Sequence, residues 1–504
     1  MFKPLKELLA PLEYTSVGKV DGEYQIDAVE YDSRKVTPSS FFFCLPGAKA
    51  DGHDYAGRAY VSGCRVFAVE RQLDLPDDAV QIIVQSTRHA LSLVSAAFYS
   101  FPAKKLTVIG ITGTKGKTTT SILIEEIMSY AGKKCAYIGS NGVKMGAEHY
   151  DTVNTTPESR ELHRFFSMMV DAGFTHVVME VSSQALDRYR VSGIEFDTVI
   201  YTNLSPDHIS PVEHSTFEEY REAKHKLFTD YGAKNMVYNS DDANSGYMCS
   251  GVSSWVNMIS YAVEKEADFS AEDIRPYRDK TSLGIDFDVV HGGIKTGVRL
   301  RTPGTFSVYN ALAAIATCSI YGVTVREASD CLKNVSIRGR SEIVDALDGI
   351  TFIVDYAHNG LSLTDELTVL RSYEPKRLIC LFGCIGGRTY GRRRELAEAA
   401  GKLADFTIVT SDNPDNEDPD EIIRDVLTYF DTTKPYVTIT DREEAIRFAV
   451  NIADEGDIVL FAGKGHETYQ IIHGEKVPFS ERSIILNEAA KIKGKVKVLS
   501  LIHI

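Results

Sequence analysis

Short apolar runs alternate with segments of helical periodicity through the middle of the chain. The runs at Thr175–Glu180, Thr198–Thr202 and Asn235–Tyr238 have the length and apolar content of buried strands. Strands that are apolar on both faces are typical of parallel sheets that are covered by helices on each side. This part of the chain is therefore predicted to form an open α/β sheet.

The same alternation returns after residue 338, and it predicts a second open α/β sheet. Its predicted strands are Thr351–Asp355, Arg377–Phe382, Phe406–Thr410 and Ile458–Ala462. Towards the end of the central block, residues 264–301 carry short strand patterns around Gly292 and Gly293, which predict a β-ribbon insertion. A helix rich in small residues is predicted to follow, around Asn310–Ala314.

The first block mixes short strands and turns, with strands predicted at Phe41–Leu45, Val66–Val69 and Ile82–Val84 and a linker at Pro102. The alternation of strands and helices thus predicts an α/β fold class. A chain of 504 residues is too long for one core, so two to four domains are expected. We expect three domains: an N-terminal α/β domain over 1–103, a central parallel-sheet domain over 104–336 and a C-terminal Rossmann-like α/β domain over 337–498.

The last six residues, 499–504, differ in character from the sequence before them and resemble a translated sequencing adapter. We treat them as a candidate non-native tail. A genuine final strand is the alternative.

A glycine-rich turn between a strand and a helix is the strongest chemical signal in the chain. It lies in Leu106–Ser121, where an apolar run ends in Thr112–Thr118 and helical periodicity follows. Ile111 replaces the first glycine of the strict phosphate-loop pattern. Small residues allow backbone N–H groups to surround phosphate oxygens. Lys117 supplies a charge for the outer phosphates, and the hydroxyl of Thr118 suits a magnesium ion.

Composition excludes several classes of protein. A formal charge of −15 argues against nucleic-acid binding. No stretch approaches the roughly 18 apolar residues of a membrane span, and the N-terminus lacks the apolar core of a secretory signal. The eight cysteines are scattered and make no Cys-x-x-Cys pair, so we expect neither structural zinc nor disulfides. A reducing, cytoplasmic location is the simplest interpretation.

Polar residues that could hold metal follow the strands of the central block. Glu180 ends a predicted buried strand, which is where open α/β sheets bind ligands, and beside a phosphate loop it is best interpreted as a magnesium ligand. His208 also follows a strand, and Lys224 comes sixteen residues later. Taken singly, His208 is typical of a solvated loop and Lys224 of an ordinary helix.

The third block carries four polar motifs, each directly after an apolar run: Asp355–His358, Gly383–Arg388, Asp412–Asp415 and Gly463–Glu467. The carboxyl ends of parallel strands share one edge of a sheet, so these motifs are expected to gather there. A second substrate is predicted to bind at this edge.

The chain resembles the Mur ligases, the ATP-dependent amino-acid ligases of peptidoglycan synthesis, and is most similar to the MurE type, which adds the third residue to a UDP-N-acetylmuramoyl-dipeptide. The resemblance covers nearly the whole chain. Its motifs stand in family order: Thr112–Thr118, Glu180–Ser183, Asn203–His208, Ala223–Phe228, Asp355–His358, Asp412–Pro414 and Gly463–Glu467.

The resemblance implies a role for each set of residues. The N-terminal domain would bind the uridine nucleotide through Ser33. The muramoyl dipeptide would contact Asn154, Thr155, Thr156, Ser182, Arg188 and Arg190. ATP would contact Gly113, Thr114, Lys115, Gly116, Lys117, Thr118, Thr119, Asn310, Arg340, Asp355 and His358. Two Mg²⁺ ions would be held by Thr118, Glu180, His208 and a carbamylated Lys224, with Lys117, Glu180, His208 and Lys224 as the catalytic set. The incoming amino acid would contact Arg393, Asp412, Asn413, Asp415, Gly463 and Glu467.

The implied reaction has two steps. The dipeptide carboxylate attacks the γ-phosphate of ATP to give an acyl phosphate and ADP, and the amine of the amino acid then displaces phosphate. The implied substrates are small molecules, with no nucleic acid, no membrane insertion and a monomeric enzyme.

Asp415 departs from the family pattern. Diaminopimelate-adding members carry an arginine at this position to bind the distal carboxylate, and an aspartate suits a side-chain ammonium instead. The residue therefore favours L-lysine or another diamino acid, while diaminopimelate stays open because other residues could bind it.

Two further departures, at Asn359-Gly360 and over residues 386–390, leave room for a ligase paralogue with a different acceptor, such as a folylpolyglutamate-type synthase. A non-catalytic nucleotide-binding remnant is the other alternative. All four predicted metal positions are present, which argues against a remnant.

Overall fold

The computed structural model describes residues 2–47, 50–206, 209, 213–279, 282–387 and 389–502, with backbone only over 495–502. The chain forms two compact units. The first contains Met1–Ser270 and Tyr309–Glu327, and the second contains Ala271–Val308 and Ala328–Ile504. None of the described helices is long and apolar enough to cross a membrane.

A five-stranded sheet opens the first unit. Its spatial order is Thr15–Val17, Val80–Ile83, Val66–Val69, Ser40–Phe43 and Ala28–Glu30. Only the first strand runs antiparallel to its neighbour. Apolar side chains from the strands pack against the helix Thr87–Phe98 and form the core of this region. The other elements here are Lys3–Pro4, Leu5–Leu9, Gln25–Ile26, Gly52–Tyr55, Ala56–Val61 and Pro102–Lys105.

The second sheet of this unit has the strand Thr107–Thr112 in its interior. The spatial order of its first eight strands is Glu148–Tyr150, Gly142–Met145, Cys135–Gly139, His176–Glu180, Thr107–Thr112, Thr198–Tyr201, Asn235–Asn239 and Asn257–Ala262. The six strands from Cys135–Gly139 onward in this order are parallel. The helices of residues 117–332 are Lys117–Tyr130, Ser159–Asp171, Ser183–Asp187, Phe217–Thr229, Ser245–Cys249, Thr305–Ile320 and Val325–Leu332.

The second unit contains another mainly parallel sheet. The spatial order is Glu342–Val344, Thr351–Asp355, Ile458–Ala462, Leu378–Cys384, Phe406–Ser411 and Tyr436–Thr438. Its helices are Gly360–Arg371, Gly391–Leu403, Pro419–Thr428, Arg442–Ile452 and Glu481–Ile502. Leu283–His291 and Ile294–Leu300 form an antiparallel hairpin, as do Tyr469–Ile472 and Glu475–Pro478, and Phe269–Arg278 precedes the first hairpin.

The predicted α/β fold class is confirmed by these sheets. The predicted strands Thr351–Asp355 and Ile458–Ala462 have the observed bounds, because their fully buried apolar runs end at polar residues or glycine. The predicted β-ribbon at 264–301 corresponds to the hairpin Leu283–His291 and Ile294–Leu300. The backbone is helical as far as Ile502, and residues 503–504 lie outside the described residues.

We expect one buried core residue to make the first unit sensitive to acid. His163 is fully buried beside Phe166, and in the part of the chain that the structure describes neither ring nitrogen has a hydrogen-bond partner. Burial lowers the pKa of His163 to about 3, below the ordinary value of about 6.5 that the unfolded chain has. The unfolded chain therefore binds a proton that the folded chain does not, and stability present above pH 6.5 is lost as the pH falls towards 3.

We expect His163→Leu to remove this acid sensitivity. Between neutral pH and pH 5, the free energy of unfolding of the wild type should fall by about 2 kcal/mol because of His163, and the variant should not show this loss. Urea unfolding between pH 5 and pH 7.5 measures the difference. His149→Gln, at an exposed position, is the control and should keep the wild-type pH dependence. A His163→Leu profile that is parallel to wild type would contradict the prediction.

Candidate functional site

The phosphate loop needs glycine at two positions. Gly113 has φ +152°, and a Cβ there would lie 1.9 Å from Oγ1 of Thr202. Gly116 has φ +85°, begins the helix Lys117–Tyr130, and its Cβ would lie 2.4 Å from Oδ1 of Asn310. Any side chain would therefore strain the loop and collide with its neighbours. The loop brings its backbone to the N-terminus of a helix, where N–H groups are available to an anion.

The loop is fixed by side chains that follow the neighbouring strand. Asn203 accepts the N–H of Lys115 at 3.0 Å through its side chain and the N–H of Thr114 at 2.9 Å through its carbonyl. The hydroxyl of Thr202 donates to the carbonyl of Lys115 at 2.8 Å. These bonds hold the loop in one conformation, so a phosphate group would meet an ordered site.

Lysine side chains contact the same loop from two directions. Nζ of Lys117 donates to the carbonyls of Gly113 at 2.8 Å and Thr114 at 3.0 Å. Nζ of Lys224 donates to the carbonyl of Gly113 at 2.9 Å, and its side chain is 2% exposed. Lys224 also lies over the ring of Tyr220 at 4.6 Å. The structure therefore brings the predicted residues Lys117 and Lys224 to a single carbonyl.

Glu180 lies at the end of the strand beside the loop. It pairs with Ile111, and its carboxylate is fully buried. Oε1 accepts the hydroxyl of Tyr137 at 2.8 Å and the N–H of Ser140 at 2.9 Å. To the residues that the structure describes, Oε2 makes one long contact, 3.5 Å from Oγ of Ser140. A buried carboxylate oxygen with so few hydrogen bonds suits a cation.

A connected group next to Glu180 contains four of the six residues predicted for the muramoyl dipeptide: Thr155, Thr156, Ser182 and Arg190. The hydroxyl of Thr156 donates to the carbonyl of Glu180 at 2.9 Å and accepts the N–H of Ser182 at 3.0 Å. Nη1 of Arg190 donates to the carbonyl of Thr156 at 3.2 Å. The hydroxyl of Thr155 lies 3.0 Å from that of Ser140, which joins this group to the carboxylate of Glu180.

Other predicted residues of the first unit have fewer defining contacts. Thr118 is buried in the first turn of its helix, and Thr119 beside it is half-buried. Ser33 is buried, Asn154 is exposed and Arg188 is half-buried.

The predicted ligand His208 lies outside the described residues, and so does Arg388 of the motif Gly383–Arg388. In the ranges that are described, no three His, Cys, Asp or Glu side chains form a ready metal cluster.

In the second unit, Asp355 is held by backbone N–H groups. Oδ2 accepts the N–H of Ser341 at 2.6 Å, and Oδ1 accepts that of Ala357 at 2.7 Å. Burial raises the pKa of Asp355, and the positive charge of Arg340 opposes this shift. Burial disfavours the charged form of His358 as well, and therefore lowers the pKa of this histidine. Its Nδ1 is 2.8 Å from the carbonyl of Tyr356.

Tyr356 brings the aromatic and cationic groups of this site together. Its ring lies 4.7 Å from that of His358, 4.9 Å from that of His466 and 5.0 Å from the guanidinium of Arg340. Burial, aided by Arg340 and other cations, lowers the pKa of His466 to about 4. The group offers the flat ring of Tyr356 and the cation of Arg340 to a ligand. His466 is uncharged at neutral pH.

A buried lysine connects the residues that were predicted for the amino acid. Nζ of Lys464 is 2.8 Å from Oδ1 of Asn413, 2.5 Å from Oε2 of Glu467 and 3.5 Å from Oδ1 of Asp412. Gly463 has φ +110°, and a Cβ there would lie 3.0 Å from the carboxylate of Asp412. Three of the predicted residues thus lie around the ammonium group of Lys464, namely Asp412, Asn413 and Glu467. Gly463 packs against the carboxylate of Asp412.

Arg393 and Asp415 already have partners within the protein. Nη2 of Arg393 donates to both oxygens of Glu417 at 2.8 Å, and Nη1 donates to Asp425 at 2.9 Å. Oδ1 of Asp415 accepts the N–H of Gly474 at 2.9 Å, and the backbone of Asp415 is left-handed at φ +55°. Asp415 therefore stabilises the hairpin that follows it.

The sequence-based site omitted Lys464 and Tyr137. Lys464 stands within the motif Gly463–Glu467, so the motif itself was a signal for it. Tyr137 comes from the neighbouring strand and had no local signal, because its contact with Glu180 spans 43 residues.

Family models match three successive parts of the chain. Residues 25–99 match the Mur ligase family catalytic domain, residues 111–318 match the Mur ligase middle domain, and residues 339–465 match the Mur ligase glutamate ligase domain.

Two similar curated relatives share the name UDP-N-acetylmuramoyl-L-alanyl-D-glutamate--2,6-diaminopimelate ligase. The relative from Geobacillus thermodenitrificans is 42% identical over 92% of this chain and 94% of its own length. The relative from Clostridium botulinum is 38% identical over 95% of this chain and 98% of its own length. A solved structure with the same enzyme name has a TM-score of 0.71 at 29% identity and covers 98% of this chain and 100% of its own. With family matches in all three parts and relatives of this identity along almost its full length, the chain belongs to the Mur ligase family.

Proposed function

We propose that this Mur ligase uses ATP to join a diamino acid to UDP-N-acetylmuramoyl-L-alanyl-D-glutamate, the third-residue step of peptidoglycan synthesis. One observation carries the proposal: the phosphate loop and the group formed by Thr156, Ser182 and Arg190 lie at the ends of adjacent strands. This adjacency suits a reaction in which a carboxylate must reach a phosphate. We expect a monomeric enzyme in the cytoplasm, acting on small molecules.

In the first step, a glutamyl carboxylate oxygen attacks the γ-phosphorus of ATP, and ADP leaves. Both reactants are anions, so the protein must reduce their repulsion. The ammonium of Lys117 and the N–H groups of the loop supply positive charge. Lys117 donates to loop carbonyls in this structure, and we expect it to turn to the outer phosphates when ATP binds.

In the second step, the amine of the amino acid attacks the acyl carbonyl and phosphate leaves. The amino acid must be held with its amine free to react. The ammonium of Lys464 suits its carboxylate, and the carboxylates of Asp412 and Glu467 suit its ammonium groups.

Magnesium fits the described residues beside the loop. Thr118, Glu180 and a carbamylated Lys224 would hold it, and the sequence motif Asn203–His208 adds His208 to this proposed set. The weakly bonded Oε2 of Glu180 supports the assignment. Carbamylation would turn the positive charge of Lys224 into a negative one and would add ligand oxygens where cations must bind. Bound Mg²⁺ would neutralise the charge that develops on the phosphates.

Diaminopimelate is the first candidate for the amino acid, because it is named in the curated relatives. L-Lysine is the second candidate, because Asp415 offers no cation to a distal carboxylate. The bond from Gly474 to Asp415 gives this aspartate a structural role and so weakens the case for L-lysine.

An amino-acid panel tests the proposal. ADP release is measured with UDP-N-acetylmuramoyl-L-alanyl-D-glutamate and ATP, with each amino acid added in turn. We expect release to require both the nucleotide substrate and a diamino acid. Failure of every amino acid would support a non-catalytic remnant, and turnover with a folate acceptor alone would support the folylpolyglutamate-type alternative.

Asp415→Arg tests whether this position selects the amino acid. We expect the ratio of kcat/KM for diaminopimelate over L-lysine to rise about tenfold, because a guanidinium binds the distal carboxylate in two places. Asp415→Asn is the matched control, since asparagine tolerates the left-handed backbone and can still accept from Gly474. An unchanged ratio in Asp415→Arg would mean that the position is not a selector.

A further inference from the structure

One carboxylate oxygen in the first unit lies between two arginines. Oε2 of Glu158 is 3.5 Å from Nη1 of Arg88 and 3.4 Å from Nε of Arg190. The side chains are largely buried, with exposed fractions of 20% for Arg88, 13% for Glu158 and 6% for Arg190. The other oxygen of Glu158 accepts the N–H of Ser159 at 3.3 Å and caps the helix Ser159–Asp171. One carboxylate oxygen of Glu158 is thus held by the N-terminus of the helix, and the other is shared between Arg88 and Arg190.

Arg88 is anchored on the side away from Glu158. Its Nη2 donates to the carbonyl of Pro46 at 2.7 Å, in the loop after the strand Ser40–Phe43. The preceding residue, Thr87, binds the carboxylate of Glu70 through both its N–H and its hydroxyl at 2.9 Å. Arg88 therefore joins the N-terminal sheet to the loop that contains Thr156.

Positive charge exceeds negative charge at this point. Burial is the main factor that lowers the pKa of Arg88, with Glu158 and Glu70 opposing it and Arg188 and Arg190 lowering it further. Three guanidinium groups thus act on one another beside two carboxylates. Nε of Arg190 is buried and has no hydrogen-bond partner among the described residues, although Glu158 is near. A cationic cluster with an unsatisfied donor suits an anionic ligand.

We propose that Arg88 is a positioning residue for the acidic part of the muramoyl-dipeptide substrate, and that it acts by holding Glu158 back from Arg190. The inference rests on the proposed function, which gives Arg190 that substrate. While Arg88 is present, Glu158 is shared and Arg190 keeps most of its charge for a substrate carboxylate. Without Arg88, Glu158 would close on Arg190, form a tight ion pair and compete with the substrate.

The mechanism predicts an unusual pattern among four proteins: wild type, Arg88→Gln, Glu158→Gln and the double variant. Arg88→Gln should raise the KM for UDP-N-acetylmuramoyl-L-alanyl-D-glutamate about tenfold with little change in kcat or in the KM for ATP. Glu158→Gln should not raise this KM. The double variant should bind nearly as well as wild type, because the competing carboxylate is gone. Arg58→Gln, at an exposed helix position, is the control and should match wild type.

Calorimetric titration of the same substrate without ATP separates this inference from the proposed function. If wild type does not bind the substrate, the proposed function fails. If wild type binds and Arg88→Gln binds equally well, the role of Arg88 is overturned. Additive losses of affinity in the double variant would also overturn it, because they indicate a merely structural network. Thermal unfolding of each variant identifies any that fails to fold, and Arg88→Lys, which keeps the charge, should recover part of the affinity.

Discussion

Lys224→Ala is expected to lower the rate of ADP release about a thousandfold or more. The side chain is buried against the phosphate loop, with Nζ 2.9 Å from the carbonyl of Gly113. Under the proposed function a carbamate at this position supplies oxygens to a cation beside the phosphates. Alanine removes both the carbamate and its contact with the loop. Steady-state assays with saturating substrates measure the effect.

Chemical rescue distinguishes a carbamate from an ordinary lysine. A short-chain carboxylate such as acetate should restore part of the activity of Lys224→Ala, because it supplies the missing oxygens. Lys224→Arg should stay inactive, since it keeps the positive charge but cannot be carbamylated. Lys234→Ala is the control, at an exposed lysine of the same unit. Full activity in Lys224→Arg, or wild-type activity in Lys224→Ala, would contradict the carbamate.

Arg442→Leu is expected to destabilise the second unit by about 3–5 kcal/mol. Arg442 and Glu481 are 0% and 1% exposed and pair at 2.7 Å. Burial raises the pKa of Glu481, and Arg442 is the main group that opposes this shift. The same guanidinium donates to the carbonyls of Ser411 at 3.0 Å and Ala462 at 2.8 Å. Leucine would leave a buried carboxyl group and two backbone carbonyls without their partner.

The loss should extend to the amino-acid site, because Asp412 and Gly463 directly follow the two carbonyls that Arg442 holds. Urea unfolding measures the stability, and the KM for the amino acid measures the effect on the site. Arg447→Leu is the matched control on the same helix, where the arginine is half exposed, and it should change stability by only about 0.5 kcal/mol. A loss in Arg442→Leu no larger than this would show that the buried pair contributes little.

Much of the sheet architecture could be predicted from the sequence, because buried parallel strands are continuous apolar runs. Thr351–Asp355 and Ile458–Ala462 were bounded correctly for this reason. The predicted Arg377–Phe382 is displaced from the observed Leu378–Cys384, because Arg377 faces Asp457 in an ion pair and Cys384 still pairs with Ser411. Strand ends depend on such partners, and local pattern does not contain them.

The candidate site was predictable where chemistry is local. The residues of the phosphate loop are contiguous in the sequence, so its glycines and its lysine could be identified from the sequence alone. The partners of the other site residues come from distant parts of the chain. Glu417 and Asp425 bind Arg393 across 24 and 32 residues, and Gly474 binds Asp415 across 59. Periodicity carries no information on such pairs, and only the folded chain reveals them.

Transfer of ¹⁸O from substrate to phosphate tests the proposed acyl phosphate most directly. The glutamyl carboxylates of UDP-N-acetylmuramoyl-L-alanyl-D-glutamate are labelled with ¹⁸O, and the products formed with ATP and a diamino acid are analysed by mass spectrometry. We predict one ¹⁸O atom in each released inorganic phosphate and one in the new amide carbonyl. Unlabelled phosphate, or label in AMP instead, would contradict attack of the carboxylate on the γ-phosphate.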